Sequence, residues 1–284
     1  MADRHSPTVR RRRLSAELKR LREESGFTAE QVGDRLGWSR GRLTNMELNK
    51  WKRTDPVIVR ALADLYGASE EVREGLVTLA RQSREKGWWA RYGDVLTGAY
   101  VGFEAEASVI STYQSMVIPG LLQTREYASA SDRAVHTQDA AATERAADAR
   151  MERQEILDRE DAPRLWAVID ESVLLRPAGG RDVMRAQIEK LIQVSEEVNT
   201  IKVQVLPLEV GLHPGTAGSF TLLDFPNPAD PSIVYIENRT DGLYLEESPE
   251  VETYRDAWDD IRVMALHPEA SAERMRTLIQ NHYQ

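Results

Sequence analysis

The chain has 284 residues, of which 41% are hydrophobic and 29% charged, a composition typical of a globular protein with two medium-sized domains. No stretch approaches the roughly 20 apolar residues of a membrane-spanning helix, and no apolar run follows the basic N-terminus as in a secretory signal. The chain has no cysteine, which excludes disulfides and thiolate metal sites. We expect a cytoplasmic protein.

The two parts of the chain carry opposite charge. Residues 1–90 contain 19 Lys and Arg against 13 Asp and Glu, a net charge of +6. Residues 91–284 contain 18 against 33, a net charge of −15. DNA binding depends on the local field of the docking surface rather than on the total of −9. The asymmetry is therefore compatible with a basic DNA-binding head on an acidic body.

The N-terminal part predicts an arm followed by five helices. Residues 1–13 lack periodicity and include four consecutive arginines, so we expect a basic flexible arm there. Start and stop signals such as a capping box and an Asp-Pro pair then delimit the helices. They are predicted at about 14–25, 28–36, 39–48, 55–67 and 69–84. We expect this all-α domain to cover 14–90, including a connecting helix.

The remainder, 91–284, mixes strand and helix patterns and predicts an α+β domain with a mostly antiparallel sheet. The alternation in 201–205 predicts one buried and one solvent-facing side of a strand. Strands are predicted at 164–169, 201–206, 219–225 and 233–237. Helices are predicted at about 139–160, 181–197, 249–265 and 271–282.

The stretch from Thr28 to Glu47 has the pattern of a helix-turn-helix. Two helices joined by a tight turn at Gly37 must cross closely, and we expect Gly33 to supply the small residue that this crossing needs. The predicted wedge between the helices consists of Val32, Leu36 and Leu43.

The outer face of the second of these helices is free to meet DNA. We predict that its polar side chains read base edges or bind phosphates in a major groove. The predicted contacts are Arg40, Arg42, Thr44 and Asn45. Thr28 and Ser39 place helix N-termini where phosphates can approach. Further predicted contacts are Lys50, Lys52, Arg53 and the arm residues Arg10, Arg11, Arg12 and Arg13, although the arginine run is equally compatible with a solvated tail.

The segment from Leu14 to Tyr66 resembles the XRE, or lambda-repressor-like, helix-turn-helix regulators. The resemblance lies in the spacing of Gly26, Thr28, Gly37, Ser39, Glu47 and Pro56. It implies that Ser39–Asn45 is the recognition helix and that Arg22 and Glu47 form a structural ion pair beneath it. Two glycines depart from the family: Gly33 replaces the usual alanine, and Gly41 stands where a DNA contact is common.

The rest of the chain resembles the WhiJ-like XRE regulators of actinomycetes. The resemblance is carried, in order, by the motifs at 104–107, 117–124, 150–154, 166–171 and 205–207. It implies a developmental or defence-type regulator with a small partner protein encoded nearby, sometimes called antitoxin-like.

No residue pattern predicts catalysis, a metal or a cofactor. Asp170 and Glu171 stand at a strand end, where acidic residues more often cap the next turn than catalyse. The five histidines lack metal-ligand spacing, and neither a nucleophile elbow nor a phosphate loop is present.

The sequence therefore predicts a nucleoid-associated transcriptional regulator and not an enzyme. We expect a repressor that binds a palindromic operator in double-stranded DNA as a homodimer. Its C-terminal domain is expected to bind a small partner protein or a small-molecule ligand. Two alternatives remain: an autoregulated antitoxin whose acidic domain neutralises a basic toxin, and a cryptic enzyme fused to a DNA-binding head.

Overall fold

The computed structural model describes residues 6–39, 41–51, 53, 55–96, 98–135, 140–239 and 242–284. The chain divides into two units, residues 1–90 and 91–284. The first unit is all-α and the second is α+β, which confirms the predicted fold class. No helix in the described ranges is both long and apolar enough to cross a bilayer.

Within its described residues, the first unit contains five α-helices. They are α1 (Pro7–Glu24), α2 (Ala29–Leu36), α3 (Arg42–Glu47), α4 (Pro56–Leu65) and α5 (Glu70–Gln82). Three of the predicted helix starts are confirmed by their caps. Thr28 and Gln31 form both bonds of a capping box, and the side chains of Asp55 and Ser69 each accept a backbone N–H in the following turn.

The prediction of a flexible arm is wrong for residues 7–13. Helix α1 begins at Pro7, with Ser6 as N-cap, and Val9 is fully buried. Arg10 and Arg12 are only 7% and 6% exposed. Arginine is a good helix former, and its aliphatic stem packs readily on apolar surface, so four arginines do not interrupt a helix. Residues 1–5 of the predicted arm lie outside the described residues.

Helix α3 starts later than predicted. It runs from Arg42 instead of Ser39, and its N-cap is Gly41 in the left-handed conformation with a φ of 82°. That conformation is strained for residues with a side chain, so glycine there stops a helix from beginning earlier. At its other end the prediction is confirmed, because Asn49 adopts a φ of 56° just after the helix.

The core of the first unit confirms the predicted wedge. Val32 and Leu43 belong to its buried cluster, and Leu36 packs against it. The crossing has a small residue at Gly33 as expected, but it does not require glycine itself. A Cβ atom added there would have the carbonyl oxygen of Trp38 as its nearest neighbour, at 3.9 Å, which is ordinary contact. The crossing of α2 and α3 therefore leaves room for alanine.

The second unit is built on a mixed sheet. Its six strands in the described residues are β1 (Val109–Gln114), β2 (Arg164–Asp170), β3 (Ile201–Leu206), β4 (Phe220–Asp224), β5 (Ile233–Glu237) and β6 (Gly242–Leu245). Their order is β3-β2-β1-β4-β5-β6. The pairings of β2 with β1 and β3 are parallel, and the other three are antiparallel. The central strand β1 and the edge strand β6 were not predicted.

Seven helices surround this sheet in the described part of the chain. They are α6 (Tyr100–Glu106), α7 (Arg125–Val135), α8 (Ala140–Gln154), α9 (Glu171–Leu175), α10 (Arg181–Glu197), α11 (Ser248–Met264) and α12 (Pro268–His282). The prediction that Asp170 and Glu171 cap a turn is confirmed for Asp170, whose Oδ1 accepts the backbone N–H of Ser172 at the start of α9.

One feature of β3 differs from the predicted alternation. Lys202 is exposed as expected, but Gln204 is buried. Its side chain accepts the indole N–H of Trp166 at 2.6 Å and donates to the carbonyl of Leu266 at 2.7 Å. Helices α11 and α12 both contact β3. The side predicted to face solvent is therefore partly covered, and a glutamine fits there because both ends of its amide are satisfied.

Gly33→Ala should stabilise the first unit. Glycine inside a helix costs about 0.5–1 kcal/mol relative to alanine, and the added methyl group meets no close atom. We expect the free energy of unfolding of residues 1–90 to rise by this amount, measured by urea denaturation followed with far-UV circular dichroism. Gly37→Ala is the matched control and should lower it, because Gly37 has a φ of 65°. A lower stability for Gly33→Ala would contradict the geometry described for this helix crossing.

Candidate nucleic-acid interface

The turn between α2 and α3 is built by backbone hydrogen bonds. Gly37 caps α2 in the left-handed conformation, and the N–H of Trp38 donates to the carbonyl of Gly33 at 2.8 Å. This is the bonding of a Schellman motif, which ends a helix sharply. Five residues separate the end of α2 from the start of α3.

Helix α3 is fixed from below by the core and by an ion pair. Leu43 and Met46 are buried on its inner side. At its last residue, Glu47 accepts from Nε of Arg22 at 2.7 Å and from Nη2 at 3.0 Å. The two side chains are 13% and 7% exposed, so the ion pair that the resemblance implies is present and largely buried. Hydrogen bonding to Glu47 raises the pKa of Arg22. The remaining Arg22 nitrogen donates to the carbonyl of Phe27 at 2.8 Å.

Helix α1 also holds the segment that follows α3. The Nε of Arg11 donates to the side-chain oxygen of Asn49 at 2.9 Å. The indole N–H of Trp51 donates to the hydroxyl of Ser15 at 3.0 Å. These two bonds place the loop after α3 against α1, so the orientation of the loop depends on residues from the start of the chain.

A concave basic surface lies beside α3. We call it the α3 groove. It brings together five of the predicted DNA contacts from both ends of α3, and Met46, Trp51 and Ile58 complete its lining. The five are Ser39, Arg42, Asn45, Lys50 and Arg53, and all are exposed. The fold therefore brings these five side chains together on one surface, although they belong to a helix and two loops.

Arg42 is positioned within this groove by an aromatic ring. Its guanidinium carbon lies 4.4 Å from the ring centre of Trp38. Such stacking attracts the cation to the ring and limits the directions in which a long side chain points. Trp38 itself is half-buried against the core, so it links the orientation of Arg42 to the packing of the helix-turn-helix.

The other predicted contacts are distributed differently. Thr44 is exposed on α3 but does not line the groove, and Thr28 is exposed with its hydroxyl accepting the N–H of Gln31. Arg40 and Lys52 lie outside the described residues. Ser39 is not an N-cap, because α3 begins at Arg42.

The four N-terminal arginines are not an arm. Arg10 and Arg12 are buried in α1, where little of either side chain is accessible to a phosphate. Arg11 is half-buried and bound to Asn49, and burial lowers its pKa. Arg13 is half-buried in the same helix.

A second basic concavity adjoins the α3 groove. It shares Arg53 with the groove and also contains four further charged residues. They are Arg11, Arg84, Lys86 and the acidic Glu85. Pro7 and Thr8, at the first turn of α1, form part of its wall. The net positive charge of residues 1–90 is thus partly gathered on one continuous surface beside α3.

Two crossed helices with a tight turn, an exposed second helix and a flanking basic surface define a DNA-binding regulator of the helix-turn-helix class. A family model described as a helix-turn-helix domain matches residues 13–76. A second family model, described as a domain of unknown function (DUF5753), matches residues 97–277, which is more than half of the chain. The protein belongs to this DUF5753 family. No curated protein and no solved structure matches the chain.

Glu47→Ala should destabilise the first unit by about 3–5 kcal/mol, because it leaves the guanidinium of Arg22 largely buried without its partner. Replacing both residues, as Arg22→Met with Glu47→Leu, should cost much less, since no charge is then left alone. Urea denaturation measures both effects. Arg20→Ala is the control, because Arg20 is exposed and pairs with Glu17 and Glu24 on its own helix. A Glu47→Ala protein as stable as the wild type would show that the pair does not hold α3.

Proposed function

We propose that the protein is a sequence-specific transcriptional regulator of the XRE type, in which α3 is the recognition helix and enters the major groove of DNA. The observation that carries this proposal is the α3 groove. It joins an amide side chain and an arginine on the exposed helix face to two further cations in the following loop. The amide and the arginine on the helix are groups that can read base edges, and the two cations in the loop are groups that bind phosphates.

The side chains of the groove have different proposed roles. Asn45 is a candidate for bidentate contact with adenine, and Arg42 for contact with guanine or with a phosphate. Lys50 and Arg53 lie beyond the helix, where the DNA backbone would pass, and are proposed to bind phosphates. Arg40 and Thr44 remain proposed contacts from the sequence.

The finer features of the proposal come from the sequence resemblance. We propose a repressor that acts in the cytoplasm at the nucleoid, as a homodimer whose two recognition helices are about 34 Å apart and bind a palindromic operator. The second unit is proposed to act by binding, not by catalysis. As in WhiJ-like regulators, it would bind a small partner protein or a ligand that shifts the affinity for DNA.

Asn45→Ala should weaken binding to the preferred operator by about 1–3 kcal/mol and relax the base preference at one position in each half-site. The operator is first selected from randomised duplex DNA with the wild-type protein, and both proteins are then titrated on it and on single-base variants. Arg20→Ala, on the exposed side of α1, is the control and should bind normally. An Asn45→Ala protein that folds and keeps both its affinity and its preference would overturn the assignment of α3.

Lys50→Gln and Arg53→Gln should change binding in another way. If each residue neutralises one phosphate, the slope of log affinity against log salt should become shallower by about 0.9 for each substitution. The loss of affinity should be similar on specific and random DNA, since phosphates carry no base identity. Salt titrations of both variants, with Arg20→Gln as a charge-matched control, provide the measurement. Unchanged slopes in both variants would exclude the proposed path of the DNA backbone.

A further inference from the structure

The second unit contains a cavity of about 350 Å³. Its wall is formed by α6, α7, α8, strands β1, β4 and β5 and the loop at 116–123. The wall is partly apolar, from residues such as Ile118, Leu121 and Phe220, and partly polar. The volume and the mixture of surfaces are typical of sites for small organic molecules.

Separate motifs of the sequence meet at this cavity. Glu104 comes from the first of the motifs noted above, Ile118 to Leu121 and Gln123 from the second, and Arg150 and Arg153 from the third. The helix-turn-helix does not use these residues, and they lie far apart in the chain. The fold therefore brings these residues together around one cavity of the second unit.

One of the arginines in the wall is already neutralised. Arg153 donates to both carboxylate oxygens of Glu104, with Nη2 at 2.7 Å from Oε1. Glu104 is 2% exposed, and the guanidinium of Arg153 lies 4.9 Å from the ring centre of Tyr100. The carboxylate of Glu104 neutralises the charge of Arg153, so Arg153 attracts an anion less strongly than an unpaired arginine would.

Arg150 has no such partner. Among the described residues its guanidinium makes no hydrogen bond and no ion pair, although it lines the cavity beside Arg153. The charged groups around it are Arg153, Glu237, Glu104 and Asp132, and burial with the repulsion of Arg153 lowers its pKa. Because the Arg150 side chain is half-buried and lines the cavity, its donors can reach an anion that enters there.

The backbone leaves space for this guanidinium at Gly120. A Cβ atom on Gly120 would lie 2.8 Å from Nη1 of Arg150 and 3.3 Å from Nη1 of Arg153. Glycine therefore lets Arg150 lie against the loop. Any side chain at this position would push the end of Arg150 aside while leaving the loop backbone in place.

The wall also includes Gln123, whose side-chain oxygen is a buried acceptor. Gln123 is 1% exposed, and its Nε2 donates to the carbonyl of Ile118 at 2.7 Å. Its Oε1 is buried and accepts no hydrogen bond within the described residues. A buried carbonyl oxygen without a donor is unfavourable, so the site is suited to a ligand that carries an N–H or O–H group.

We propose that this cavity binds a small organic anion. Its carboxylate or phosphate would bind the fork of donors on Arg150, an N–H or O–H group would donate to Gln123, and its apolar part would contact Ile118, Leu121 and Phe220. A regulatory role for this cavity rests on the proposed function as a transcriptional regulator. The binding of an anion in the cavity does not depend on that function.

The test uses the full-length protein with labelled isoleucine methyl groups, observed by NMR during titration with two anionic probes. N-acetyl-L-leucine carries a carboxylate and an N–H donor, and phenyl phosphate supplies the alternative anion. We expect one or both to bind with a dissociation constant on the order of 1 mM. The methyl signals of Ile110 and Ile118 in the wall should shift, and that of Ile261, in the core outside the wall, should not. The neutral N-acetyl-L-leucinamide should bind at least about tenfold more weakly.

Arg150→Gln should weaken the better probe about tenfold or more and remove its preference over the neutral amide. Gly120→Ala should weaken it as well, by displacing the guanidinium. Arg185→Gln is the matched control, since it removes an exposed arginine paired with Glu189 on α10 and should leave binding unchanged. Equal binding by the wild type and Arg150→Gln, or no shift of the wall signals with either anion, would overturn the proposal. Operator binding by the same proteins is measured separately, so loss of the ligand site and failure of the proposed regulator are distinguishable.

Discussion

Helix α3 has only six residues, and a helix of this length has almost no stability of its own in water. Its helical conformation is stabilised by the residues that pack beneath it. Leu43 and Met46 enter the core, and the carboxylate of Glu47 is held by Arg22 of α1. Without this pair, the exposed side chains of α3 would no longer be held at a fixed spacing. Base recognition by α3 would therefore depend on an ion pair that lies beneath the helix and not on its exposed face.

The sequence predicted the N-terminal unit well wherever the signals were local. Capping residues such as Thr28 and Asp55 determine helix starts through bonds made within three residues, so they are readable from the chain alone. The start of α3 was misplaced because the conformation of Gly41 depends on how the turn closes. The run from Arg10 to Arg13 was misread because burial of the arginine stems is decided by neighbours distant in sequence.

In the second unit, the errors fall where polar residues are buried. Strand β1 contains two adjacent polar residues, Ser111 and Thr112, which interrupt its apolar pattern. Both are buried at the centre of the sheet, and the hydroxyls of Thr112 and Thr221 are hydrogen-bonded at 2.9 Å. The cavity was equally hidden. Arg150 is one of several charges on α8. Only the fold reveals that Arg153 has a carboxylate partner, whereas Arg150 has none within the described residues.

The early start of α1 bears on how small a working DNA-binding piece of this protein can be. The match to the helix-turn-helix family begins at residue 13 and ends at residue 76. Helix α1 has completed more than one turn by residue 13, and α5 continues to Gln82. A piece trimmed to the matched range would lose the buried side chains of Val9 and Ala80, and with Arg11 the bond that anchors Asn49 after α3. The segment that matches the helix-turn-helix family is thus shorter than the unit whose side chains pack together.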